Sequence, residues 1–168
     1  MINSIIRYII IFIILIFLQV LLFDNIQLSG YINPFVYILL ILLLPVEISA
    51  LLLLIICFFT GLIIDSFTGT PGMHTAATVL TGFVRPYILR LISPHDGYEP
   101  GSIPSMEIYG FRWFLFYTVI IILIHHLALF YLEVFRLADF FRTFLRVLLS
   151  SLFSITFIVL VEYYRKVR

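Results

Sequence analysis

Cysteine occurs once, at Cys57 inside an apolar run, so no internal disulfide can form, and no His/Cys spacing resembles a zinc site. Charge is nearly as scarce. Only 11% of the residues are Asp, Glu, Lys or Arg, where soluble domains carry about a quarter. Ten basic and nine acidic residues leave a net charge near +1, which supplies neither a basic patch for nucleic acid nor a polyanionic face for a cationic partner. No small-x-small cleavage site precedes Asp24, so the first 23 residues read as a retained span rather than a secretory signal. Neither a repeat nor a low-complexity tract stands out.

What fills the chain instead is oil. Of 168 residues, 63% are hydrophobic and the mean hydropathy is +1.20, the composition of an integral membrane protein. The apolar runs far exceed the roughly ten residues of a barrel strand, and lipid requires every backbone amide to find an internal partner. The expected fold is therefore all-α, a multi-pass helical bundle of about six transmembrane helices over 5–23, 30–45, 48–64, 71–92, 111–131 and 144–163, forming one domain. The run from Pro34 to Ile64 would reach about 46 Å as one helix, too long for a single crossing. Pro45 and Glu47 break it, leaving either two spans or a tilted, partly re-entrant segment. Between Ser93 and Tyr109 lies the longest polar loop, with three prolines and two glycines, too short for a folded domain.

Six spans put both termini on one side together with Arg7, Arg85, Arg90, Arg112, Arg165, Lys166 and Arg168, against Arg136, Arg142 and Arg146 opposite. That asymmetry makes the termini cytoplasmic; five spans is the competing count. Arg112, Trp113 and Tyr117 read as interfacial anchors of the fifth span. Glu133, Arg136, Asp139, Arg142 and Arg146 recur every three or four residues, as on one stripe of an interfacial amphipathic helix.

Polar chemistry concentrates between Gly61 and Pro86, GLIIDSFTGTPGMHTAATVLTGFVRP. Asp65 falls where a span ends, as a capping group, a same-depth partner of His74, a partner-binding carboxylate or a proton carrier. Thr70 is placed to cap the next helix, Pro71 suits its first position, and Gly69 and Gly72 relieve a tight turn. Beyond it the small residues at 72/76, 77/81 and 78/82, among them Gly72, Ala76 and Gly82, let helices approach closely. Arg85 and Arg90 are placed to snorkel to the headgroups, Arg85 alternatively to bind an anionic headgroup or a cytoplasmic filament, and Pro86 to kink or end the helix. Adjacent His125 and His126 point about 100° apart on a helix, which suits polar packing better than a shared metal, and one of them is placed to meet Glu133 or Arg146. No base lies in register with Ser150, Ser151 or Thr156, so these read as helix glue. Only Asp65 and His74 come close to a catalytic convergence, which leaves no enzyme and no cofactor to expect.

These residues resemble the bacterial rod shape-determining protein MreD family. The likeness rests on Gln19 and Val20, on NPFVYILLILLLP at 33–45, on GLIIDSFTGTPGMHTAA at 61–77, on 83–86, and on LRVLLSS at 145–151 with the basic tail. Gly72-Met73-His74 and the long polar loop depart from the family pattern. The resemblance implies a non-enzymatic scaffold of the wall-elongation machinery in the bacterial inner membrane. Its implied partners are MreC, through that protein's transmembrane helix, the MreB filament, the glycosyltransferase RodA with its paired class B penicillin-binding transpeptidase, and membrane lipids. That family's fold is thought to be similar to the substrate-binding subunits of energy-coupling factor vitamin transporters, so a small-molecule carrier or its binding subunit is the rival expectation.

Overall fold

The computed structural model describes residues 2–24, 32–134 and 140–167. Helix α1 (Ile2–Leu18) passes into a π-helical turn, Gln19–Phe23; α2 (Ile38–Leu42) is short; α3 (Ala50–Thr68) and α4 (Met73–Leu91) form a hairpin. A four-residue α5 (Met106–Tyr109) precedes α6 (Phe111–Val134) and α7 (Phe140–Val167). Three of these, α3, α6 and α7, are long and apolar enough to cross a membrane. At ~1.5 Å per residue they reach about 28, 36 and 42 Å, against a hydrocarbon core of about 30 Å.

Polarity in the bundle is turned inward. The buried residues of α7 are Thr143, Ser150, Ser151, Ser154 and Glu162 with only two aliphatics, while Phe141, Leu148 and Leu152 are exposed. Likewise α4 buries His74, Thr78, Thr81 and Arg85 and exposes Leu80, Phe83 and Tyr87. Water would reject such an exterior, whereas lipid accepts it and lets the interior spend polar groups on helix contacts. An aliphatic core centred on the buried stretch from Phe35 to Leu44 lies between α6, α7 and α1.

That stretch differs from the helical span expected over 30–45. Residues 33–36 have no regular secondary structure, and α2 covers only five residues, about 7.5 Å, so the run from Pro34 is broken and does not form the single helix expected over 30–45. Its start, including the turn with Gly30, lies outside the described residues, as do Arg136, Asp139 and Arg168. This irregular backbone lacks helical bonds of its own, and side chains from two helices satisfy it instead. The Asn33 and Phe35 amides donate to Ser150 Oγ (3.0 Å) and Ser154 Oγ (2.9 Å) on α7. Gln19, buried at the start of the π turn, accepts from Val36 N at 2.8 Å and donates to the Pro34 carbonyl at 3.2 Å.

Closest of all is the α3–α4 hairpin. A Cβ on Gly61 would collide with the Thr75 backbone and Thr78 Oγ1, and one on Gly82 with Cys57 Sγ. Thr75, Thr78 and Gly82 of α4 are thus consumed against α3. Ala77 is buried in the main core, and Gly72 and Ala76 are exposed. The end of the bundle away from this hairpin turn is closed by the polar loop: Val46 N donates to Ser102 O (3.0 Å), Gly101 N to Glu47 (3.2 Å) and Tyr98 OH to Leu89 O (2.6 Å), where burial pushes the Tyr98 phenol up to about 12. Helix α7 starts at Phe140 and carries Arg142 and Arg146 in its first turns, while Glu133 belongs to the last turn of α6. The described part of the expected amphipathic stripe is therefore divided between two long helices.

Candidate functional site

Two buried polar centres organise the bundle, one on each side of the core. The first is built on Asp65, 5% exposed in the last turn of α3. Thr70 is not the cap expected from sequence, and Pro71 stays outside the helix. The N-cap position of α4 is Gly72, which has no side chain to offer, so the carboxylate of the preceding helix reaches across the turn. Asp65 Oδ1 accepts from His74 N (2.9 Å) and Thr70 Oγ1 (3.0 Å), and Oδ2 from Thr75 N (2.9 Å) and Thr75 Oγ1 (2.6 Å). Two orphan amides of α4 are satisfied by an anion at the positive end of its dipole. Gly69 and Gly72, at φ 69° and 83°, make the reversal that L side chains disfavour.

His74 joins this cluster, with Nδ1 3.1 Å from Asp65 Oδ1 and 2.9 Å from Thr70 Oγ1. An ionised carboxylate only accepts, so Nδ1 carries the proton. Asp65→Asn turns an NH2 toward donors at one of the two oxygens. It is expected to lower the thermal stability of the purified protein by about 1–3 kcal/mol, the cost of leaving buried donors unpaired. Unchanged stability and unchanged proteinase K resistance at the 69–72 turn would show that the cap is dispensable.

The second centre is Arg85. The expectation of a snorkelling anchor is overturned, because the side chain is fully buried. Its Nε donates to Tyr117 OH (2.8 Å), Nη1 to Pro45 O (3.4 Å) and Nη2 to Leu44 O. Tyr117, expected at an interface, is equally buried and donates to Leu42 O at 3.4 Å. The forked guanidinium therefore collects the carbonyls of Leu44 and Pro45, in the irregular stretch just past the end of α2. Arg90, by contrast, is exposed, 5.5 Å from the Tyr87 ring centroid. Pro86 lies inside α4, which continues to Leu91 rather than ending there.

His125 and His126 bond to different neighbours, and neither meets Glu133 or Arg146. Tyr37 OH lies 2.8 Å from His125 Nε2. His126 Nδ1 donates to Ile122 O (2.9 Å), leaving Nε2 to accept from Ser154 Oγ (3.2 Å), the hydroxyl that takes the Phe35 amide. No group of three or more potential metal ligands occurs among the described residues.

Between the Asp65 turn, the end of the π turn and the facing ends of α6 and α7 lies a cavity of about 410 Å³. Its polar lining is Asp24, Asn33, Thr68, Thr70, His74 and the Glu133–Arg146 pair, joined at 3.0 Å. Asp24 Oδ1 accepts from Gln19 Nε2 at 2.7 Å. Burial pushes the Asp24 carboxyl up from its ordinary value, and the Gln19 bond opposes that shift. Gln19, Asp24, Asn33 and Ser154 escaped the sequence reading as site residues. Of these only Gln19 carried a signal, as a lone polar residue inside an apolar tract.

No family model matches the chain, and no curated protein and no solved structure matches it either.

Proposed function

We propose that this chain is a multi-pass, non-enzymatic subunit of the bacterial cell-wall elongation machinery, a scaffold of MreD type in the inner membrane with about six crossings and cytoplasmic termini. In this role it binds the transmembrane helix of MreC and links the MreB filament to RodA and its paired transpeptidase. The observation that carries the reading is how the motif residues are used. Gln19, Gly61, Asp65 and Arg85, drawn from the stretches behind the resemblance, all hold the hairpin and the broken segment from Asn33 in one shape. A chain that invests its buried polar groups in shape, under an apolar exterior, is suited to fitting against other membrane helices.

Because Thr75, Thr78 and Gly82 pack against α3 and Ala77 and Thr81 are buried, partner contact falls on outward faces such as the one carrying Leu80, Phe83 and Tyr87. Depletion is expected to round rod-shaped cells, and mild-detergent purification to recover MreC. Crosslinkers at Phe83 should capture more MreC than crosslinkers at buried Thr81. Unaltered cell shape together with no recovered MreC would reject the scaffold.

The cavity beside the Asp65 turn favours a second reading, the binding subunit of a small-molecule carrier. Its mixed polar and apolar lining and its volume match ligand sites of about 300–1,000 Å³. A metabolite retained through purification, seen by native mass spectrometry, is its expected signature.

A further inference from the structure

Two recesses of the bundle adjoin. The 410 Å³ cavity beside the Asp65 turn and an apolar groove of about 230 Å³ along α1 share Val20 and Phe67 as lining residues. Phe12, Ile16 and Val20 pack against the core and make the floor of the groove. Ile13, Phe17 and Leu21 stand at its edges, 46%, 60% and 62% exposed. Every residue that lines it is apolar.

Polarity changes where the two recesses join. Past Val20 and Phe67 the lining turns to Asn33, Thr68, Thr70 and the Glu133–Arg146 ion pair. These lie where α3 and α6 end and α7 begins, and those three helices are the ones long and apolar enough to cross a membrane, so their shared end marks a membrane surface. From Leu21 back to Phe12 the groove follows about 14 Å of helix at ~1.5 Å per residue, close to half of a hydrocarbon core of about 30 Å. The joined recess is thus polar at the surface and apolar for the depth of one leaflet, the outline of an amphiphile. Its apolar part has room for one slender chain, far narrower than a helix about 10–12 Å across.

Charge specifies the head. Glu133 and Arg146 keep 39% and 20% of their side-chain surface open and set opposite charges 3.0 Å apart on the cavity wall, which complements a zwitterion. Asp24 adds a second carboxyl to the wall, and Asn33, Thr68 and Thr70 add oxygen acceptors. A primary ammonium brings three N–H donors to such oxygens, and a quaternary one brings none.

We infer that the joined recesses hold one phospholipid of the adjacent leaflet, with an acyl chain in the α1 groove and a zwitterionic, primary-amine headgroup of the ethanolamine type in the cavity, phosphate toward Arg146 and ammonium toward Glu133. The assignment rests on reading the cavity as a ligand site and gives it a membrane lipid in place of a soluble metabolite.

The test uses the full-length protein in detergent with equal amounts of phosphatidylethanolamine, phosphatidylglycerol and phosphatidylcholine, the retained molecules being counted by native mass spectrometry. One phosphatidylethanolamine per chain is expected, favoured at least about tenfold over the other two, and it should raise the unfolding temperature saturably. Ile13→Trp adds bulk at an exposed edge of the groove and is expected to abolish that retention while keeping the parent's melting temperature in lipid-free detergent. Glu133→Gln is expected to bring the ethanolamine lipid down to the level of the choline lipid. Equal retention of all three lipids, a preference for phosphatidylglycerol, or no effect of Glu133→Gln overturns the headgroup assignment, and retention untouched by Ile13→Trp overturns the groove. A soluble metabolite retained instead of lipid overturns the lipid while leaving the ligand site. Bare protein throughout overturns the ligand site itself.

Discussion

Replacing Arg85 with Met is expected to cost the fold more than any other single change in α4. Methionine fills a similar apolar volume but removes all three donors, so the Leu44 and Pro45 carbonyls lose their guanidinium partner and Tyr117 loses Nε. The buried Leu44 carbonyl left unpaired costs about 1–3 kcal/mol, while the Pro45 carbonyl keeps the Ile48 amide at 3.4 Å, and that loss is a sizeable share of the roughly 5–15 kcal/mol typical of a folded domain. The gain from no longer burying a cation is smaller, since the carbonyls at the end of α2 already provide a negative field. Arg85→Lys separates charge from shape, because it retains the charge but replaces a planar fork with a point donor. Lysine is expected to recover less than half of the lost stability. Thermal unfolding of the detergent-solubilised variants measures both effects. A methionine variant that melts with the parent would mean that the carbonyls find water or another donor, and Arg85 would no longer be the clamp on the segment that follows α2.

Arg85 also shows where sequence reasoning reaches its limit. An arginine next to a proline near the end of an apolar helix reads as a surface anchor, since nothing local reveals that a distant backbone segment ends beside it. Its acceptors lie 40 and 41 residues away, and α2 is too short to announce itself by periodicity. Tyr117 was misplaced for the same reason. The Asp65 turn was legible because its partners lie within ten residues, and glycines and hydroxyl residues mark a reversal on their own. What local rules missed there was the direction of the cap, which comes from the helix before rather than from Thr70. The cavity was the least legible feature: Asp24, Asn33, His74 and Arg146 come from four separate parts of the chain, and only tertiary packing brings them together. The apolar helices were legible throughout, because hydropathy over about twenty residues needs no partner to be recognised.

Gly61→Ala and Gly82→Ala look equivalent in sequence, one methyl each in a helix, and the hairpin predicts that they behave differently. Overpacking of a close helix contact costs about 1–3 kcal/mol, and either variant is expected to lose stability in that range despite the better helix propensity of alanine. The obstacle differs in kind. At Gly82 the added methyl meets the sulfur of Cys57, a removable side-chain atom. Cys57→Ala should therefore rescue Gly82→Ala by at least half, a positive coupling of the kind double-mutant cycles resolve. The Cys57 Cβ would still lie 3.3 Å from the new methyl, so the rescue stays incomplete. At Gly61 the methyl meets the backbone of Thr75, and truncating Thr78 removes only part of the clash. Helix α4 must shift as a body, carrying with it the His74 and Thr75 amides that Asp65 caps. Gly61→Ala is thus expected to lose stability without rescue by Thr78→Ala and to expose the 69–72 turn to proteinase K, as is expected of Asp65→Asn. Rescue of both glycine variants by side-chain truncation, or of neither, would contradict a contact that is backbone-limited at one point and sulfur-limited at the other.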